Sequence, residues 1–282
     1  LVGVGIFIAN TPGIVEIMSK QPERQAMRFV TVLLLMAASQ AAAPGPVLGC
    51  CAAGGPAAGS KIDKAIEELD RKVRSIETLR CGVLYRFSQP LFESQSVRTG
   101  EFLYCKTPQR VRVNFETLQQ DDEEARPYRE QYILDGGQLV HVNYAIRQVK
   151  RYARSEPNEP VDASGLGAGG LGLLGLTGLD RLRRQFEIAL ADDDGDRPED
   201  TVCLRLRPRG DSIYREDFTR VEILANTKSG LPEKVTAVST QDDVYEIRLL
   251  DARVNRKLDD GAFEPAVPGD FSVMEAETGQ GR

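Results

Sequence analysis

Arg110-Val-Arg-Val-Asn-Phe-Glu116 alternates polar and apolar residues without a break. Val111, Val113 and Phe115 fall on one side of an extended chain; Arg110, Arg112, Asn114 and Glu116 fall on the other. A period of two belongs to a half-buried β-strand, whose successive side chains point to opposite faces of a sheet. Pro108, just upstream, sits where a turn from a preceding strand would lie. The same style extends in both directions. Val83, Tyr85 and Phe87 alternate with Leu84, Arg86 and Ser88, and Phe102 and Tyr104 alternate with Glu101, Leu103 and Cys105. Downstream, Tyr132-Ile-Leu134, a turn at Asp135-Gly-Gly137, and Leu139–Tyr144 read as a hairpin, followed by a short strand over 148–152. A second group of strands is expected at 186–190, 201–207, 218–225, 233–240, 244–250 and 252–257, about ten or eleven in all.

One segment near the start has a different period. Ile62, Ile66, Leu69, Val73 and Ile76 recur at steps of four and three, with charged residues opposite and Ser60 placed to cap. This predicts an amphipathic helix over 61–79 whose apolar stripe covers the strands.

Composition narrows the function. With 42 acidic against 36 basic side chains the net charge is −6, which argues against general affinity for nucleic acid, and no nucleic-acid motif offsets it. The chain has one histidine, His141, and no tryptophan, which disfavours a Ser-His-Asp triad or a His-rich metal centre. Carboxylate chemistry stays open in principle, but no motif brings two carboxylates together. No catalytic residue, cofactor or metal site is expected. Asp121-Asp-Glu-Glu124 reads as part of a solvated loop over 119–129. Asp192-Asp-Asp-Gly-Asp196 lacks the spacing and terminal Glu of a Ca²⁺ loop and reads as a hairpin turn.

Cys81, Cys105 and Cys203 lie among the strands. If 82–89 and 98–105 form a hairpin centred on Glu93, Cys81 falls opposite Cys105, and an oxidising compartment would allow a bridge. Two small buried thiols are the equal alternative.

The first residues read as an address. Met18–Arg28 carries Lys20, Arg24 and Arg28 against Glu23; the apolar run Phe29–Ala38 and then small residues follow. That is the order of a secretory signal, and the run is too short to span a membrane. Ser39-Gln-Ala41 fits a small-x-small cleavage site. Val47-Leu-Gly-Cys50 resembles a lipobox that would lipidate Cys50, although Leu48 is large for its place and the gap from the apolar run is long. The expected organisation is an upstream extension with signal peptide (1–41), a flexible Ala/Gly/Pro-rich linker (42–59), a folded domain (60–275) and a disordered tail (276–282).

Between the two groups of strands, residues 164–179 hold Leu166, Leu171, Leu173, Leu174, Leu176 and Leu179 among glycines. The leucines can bury against an apolar surface, while the glycines weaken any helix. A mobile lid over a cavity and a plain connection packed on the core both fit these residues.

The order of motifs resembles the LolA family, carriers of bacterial outer-membrane lipoproteins, and their LolB-type relatives. The features are the helix stripe Leu69–Leu79 leading into Tyr85-Arg-Phe-Ser-Gln89; Gly100-Glu-Phe-Leu-Tyr-Cys-Lys-Thr-Pro108 followed by Arg110–Phe115; the hairpin Ile133-Leu-Asp-Gly136 through Tyr144; and Phe263-Glu-Pro-Ala-Val-Pro268 through Val273. The likeness covers roughly 61–275. It implies an α+β fold: a strongly curved, unclosed antiparallel β-barrel of about eleven strands, covered by the N-terminal helix and a short apolar lid. It implies that Val111, Val113, Phe115, Phe102 and Tyr104 line a cavity for lipid acyl chains, and it favours the lid reading of Leu166, Leu171, Leu173, Leu174 and Leu176. By the same token the protein would be a monomeric periplasmic carrier and not an enzyme. Its partners would be lipoprotein acyl chains or another lipid, an inner-membrane release complex and an outer-membrane acceptor. A lipid- or lipoprotein-sensing domain, or an anchored acceptor if Cys50 is lipidated, is the alternative. Thr107 replaces the Arg with which the family often latches its lid, and Thr has no guanidinium fork; Val113 stands where an aromatic is common.

Overall fold

A computed structural model describes residues 59–135, 138–152, 179–191 and 197–276. The leucines proposed as lid, Cys50, the signal segment and Asp192–Asp196 lie outside the described residues.

Twelve strands form one sheet. β1 (Thr78–Gln89), β2 (Ser94–Cys105), β3 (Arg110–Gln120), β4 (Arg126–Asp135), β5 (Gln138–Asn143) and β6 (Gln148–Tyr152) form an antiparallel meander. β7 (Phe186–Leu190), β8 (Thr201–Pro208), β9 (Phe218–Asn226), β10 (Pro232–Ser239) and β11 (Val244–Val254) form a second. Antiparallel pairing of β1 with β11 joins the two. β12 (Ser272–Ala276) adds itself parallel to β6. Among the described residues no ladder joins the edges β7 and β12, so the barrel is unclosed, as expected, with twelve strands rather than about eleven.

The sheet bends because the pairing slips. Register shifts occur between Thr99 and Gly100 in β2, between Phe115 and Thr117 in β3, and opposite Arg80–Gly82 in β11. An extra residue bends the bulged strand and increases its twist. At the first of these, a Cβ on Gly100 would lie 1.9 Å from the Asn114 carbonyl oxygen, so only glycine fits. In β11, Asp251 takes a φ of 52° at the bulge, and the strand continues beyond it. The two strands expected at 244–250 and 252–257 are therefore one.

α1 (Gly59–Arg74) lies against the concave face, and α2 (Leu179–Gln185) precedes β7. Ile66, Leu69, Val73 and Ile76 join the main core, together with Leu182 of α2. The helix ends five residues before the expected 79 because other segments claim the backbone there. Asn255 accepts from the Glu77 N–H at 2.7 Å and donates to the Ser75 carbonyl at 3.1 Å, while Lys106 donates to the Arg74 carbonyl at 2.8 Å. Orphan carbonyls at a helix end need such partners. Gly230, in the turn between β9 and β10, lets the helix approach: its φ is 79°, and a Cβ there would meet Lys72 Cβ at 2.7 Å.

Two further expectations are corrected. The solvated loop of 119–129 shrinks to 121–125, because β3 and β4 extend into it. The first hairpin turns through a short 3-10 segment, Pro90–Phe92, which sets Thr78 opposite Cys105 and Cys81 opposite Phe102. Compared with a hairpin centred on Glu93, the register differs by an odd number of residues. An odd slip puts side chains on the other face. Cys81 belongs to the concave core and Cys105 to the convex side, so no bridge joins them, and both thiols are free.

The convex face carries two small apolar islands. Leu103, Cys105 and Phe263 form one; Ile133, Val140, Val142 and Val149, with Val267 and Phe271, form the other. Phe263, Val267 and Phe271 all come from the strap between β11 and β12, which crosses the outside of the first meander.

Candidate functional site

The concave face gathers residues from eleven strands into one apolar cluster. Val111, Val113 and Phe115 of β3 and Phe102 and Tyr104 of β2 are all buried within it, beside Leu79, Cys81 and Val83 of β1. The aromatic rings of Tyr85 and Phe115 are 6.4 Å apart and tilted, and those of Phe115 and Tyr132 are 6.5 Å apart and edge-on. All five residues expected to line a cavity thus share one surface with the stripe of α1. Burial pushes the Cys81 thiol and the Tyr104 hydroxyl up to about 12 each, so both are neutral and pack as apolar groups.

Polar clasps hold α1 at its margins. Lys106 reaches Glu77 at 2.8 Å as well as the Arg74 carbonyl. Arg183 of α2 pairs with Asp63 at 2.8 Å, and Lys72 donates to the Thr227 carbonyl. Lys106, next to Thr107, is one of these clasps. These contacts are largely exposed, and exposed ion pairs contribute about 0–1 kcal/mol each. The apolar stripe, not the clasps, seats the helix.

Toward the β3–β4 turn the concave face changes character. Glu130 is 1% exposed and accepts from Tyr132 (2.8 Å) and His141 (2.8 Å) on one oxygen and from Tyr128 (2.8 Å) on the other. The His141 and Tyr132 rings stack at 4.4 Å. Burial alone would raise the Glu130 carboxyl, but the His141 hydrogen bond and electrostatic pull, the Arg98 charge and the Tyr128 hydroxyl outweigh it and hold the carboxyl at about 2. Burial and the Glu130 charge push the Tyr128 and Tyr132 hydroxyls up, so both remain donors. Arg98 of β2 is 7% exposed, its guanidinium 5.6 Å from the Tyr128 ring and 5.9 Å from that of Tyr85. Burial disfavours its charge, and Glu130 restores it.

Sequence reading missed this network because its members come from different strands. The usable signal was parity: Arg98 shares a face with Phe102 and Tyr104, and Glu130 with Tyr132 and Leu134. The result is an amphiphilic surface, apolar under α1 and polar at the far end. Among the described residues no three His, Cys, Asp or Glu side chains are gathered for a metal, and no helix is long and apolar enough to cross a membrane.

No protein-family model and no curated protein matches the chain. Several solved structures resemble it. An uncharacterized conserved protein from Thermus thermophilus is 10% identical, over 77% of this chain and 99% of that one, with a TM-score of 0.47. The structure of the Pseudomonas aeruginosa MucA/MucB complex matches at 13% identity, over 73% of this chain and 61% of that one, with a TM-score of 0.40. A LolA superfamily protein from Nitrosomonas europaea is 15% identical, over 72% of this chain and 97% of that one, with a TM-score of 0.34. A LolA superfamily protein is thus among the structures this chain resembles, and the likeness is one of fold.

Proposed function

We propose that this protein is an exported carrier that shelters the acyl chains of lipoproteins, or of another lipid, on its concave face and releases them unchanged at the outer membrane. The supporting observation is the apolar surface drawn from eleven strands, onto which the stripe of α1 packs beside Leu182 of α2 with weak marginal clasps. The energetics permit exchange. Lifting the stripe of Ile66, Leu69 and Val73 forfeits about 5–9 kcal/mol, and burying about ten methylenes returns about 8 kcal/mol. Near balance suits a carrier that must load and let go. Val111, Val113, Phe115, Phe102 and Tyr104 would contact the chains, and Leu166, Leu171, Leu173, Leu174 and Leu176 would close over them. Residues 1–41 would direct export; 42–59 would link the carrier domain to the leader, or to an anchor if Cys50 is lipidated.

Delipidated protein titrated with a fluorescent acylated peptide tests the proposal: saturable binding is expected, and none above a control protein overturns it. Replacing Leu173 and Leu174 with Asp should abolish binding while the β-rich circular dichroism persists. Globomycin-sensitive membrane attachment would assign the anchored form.

A further inference from the structure

Arg98 is a buried arginine whose guanidinium makes no hydrogen bond among the described residues. Among the described residues none accepts from it, and its Nε is enclosed with no partner. Glu130, whose charge Arg98 feels, receives Tyr132 and His141 on one oxygen and Tyr128 on the other, and makes no hydrogen bond with Arg98. Two tyrosine rings flank Arg98, and they offer π-faces rather than lone pairs. The Nε–H is one of five donors on the guanidinium, and leaving a donor buried and unmet is costly. Arg98 lies on the same face as Phe102 and Tyr104, one step beyond the apolar surface.

We propose that Arg98 is the receptor for the carbonyl oxygen of an ester or amide joined to the acyl chain, which lies with its tail under α1 and its carbonyl at the Tyr128–Tyr85 end. This rests on the carrier reading and adds the chemistry of the cargo's head. Charge selects a neutral acceptor: Arg98 and Glu130 already offset one another, so a carbonyl keeps the site balanced. A carboxylate or phosphate would add a buried negative charge beside Glu130, whose desolvation nothing repays.

The test is a titration of delipidated protein with methyl oleate, the matched methyl ether of oleyl alcohol, and oleate. Wild type should bind the ester about tenfold more tightly than the ether, and more tightly than oleate. Arg98→Met should bring ester and ether to the same affinity with its circular dichroism unchanged. If that variant does not fold, Arg98→Lys, which keeps the charge and loses the planar fork, should narrow the preference. Equal binding of ester and ether by wild type, a preference that survives Arg98→Met, or tightest binding of oleate overturns the assignment while leaving a carrier. Failure of all three ligands to bind overturns the carrier reading itself.

Discussion

The two faces of this sheet are made by the same strands and treat arginine in opposite ways. On the convex side Arg110 and Arg112 meet the strap. Arg110 reaches Asp260 at 3.0 Å and lies 4.6 Å from the Phe263 ring, and Arg112 donates to the Ala262 carbonyl at 2.6 Å. On the concave side Arg98 is more deeply buried and receives nothing but ring faces and a neighbour's field. The Nε atoms of Arg110 and Arg98 are both buried without a partner among the described residues, but Arg110 meets an acceptor in the strap through a terminal nitrogen and Arg98 meets none. A surface whose apolar half is packed and whose polar half is left with open donors is built for something other than maximal stability.

Substitutions can break that comparison at either face. The largest effect is expected at Gly100→Ala, which drives a methyl into the Asn114 carbonyl, removes the bend both faces depend on, and costs about 4 kcal/mol or more; a urea midpoint within error of wild type would refute it. Next is Glu130→Gln, which leaves Arg98 uncompensated and should cost about 3–5 kcal/mol. Wild type carries a matching acid signature. Because the folded carboxyl sits at about 2 against an ordinary 4.5, its contribution is complete above about 4.5 and is lost as pH falls toward 2. Unfolding measured across that window should be steeper for wild type than for Glu130→Gln, and parallel curves would count against a buried, ionised Glu130. Phe263→Ala should cost about 3 kcal/mol, but locally: hydrogen exchange should quicken in β12 and the strap while β1–β3 stay protected. Uniform loss of protection would mean that the convex island is part of the main core. The smallest effect belongs to Arg80→Ala, which removes an exposed pair with Glu101 and should shift stability by less than about 1 kcal/mol.

The sequence made the concave face legible and the convex one obscure, for physical reasons. Strict alternation in Arg110–Glu116 reports a strand with one face buried, and the step pattern of Ile66, Leu69 and Val73 reports the helix that covers it. Register was not legible, since it depends on how Pro90–Phe92 turns, and a change of one residue there moves Cys105 to the other side. The strap was invisible as structure because Phe263, Val267 and Phe271 follow neither period and sit among Pro, Gly and Asp. The ionic network escaped because Arg98, Glu130 and His141 are each ordinary strand residues alone; only the pairing of β1 through β5 brings them together.

The placement of β11 and β12 also governs the order of assembly. Synthesised from the N-terminal side, the meander β1–β6 emerges with two bare edges, at β1 and at β6. Both are closed by residues from one late stretch, β11 against β1 and β12 against β6. Unpaired strand edges invite other chains. Until that stretch is made, the first meander is therefore a six-stranded ribbon with open hydrogen-bonding groups on both flanks. A truncation anywhere before Val244 leaves both edges bare, whereas one just after Val254 leaves only the β6 flank uncovered.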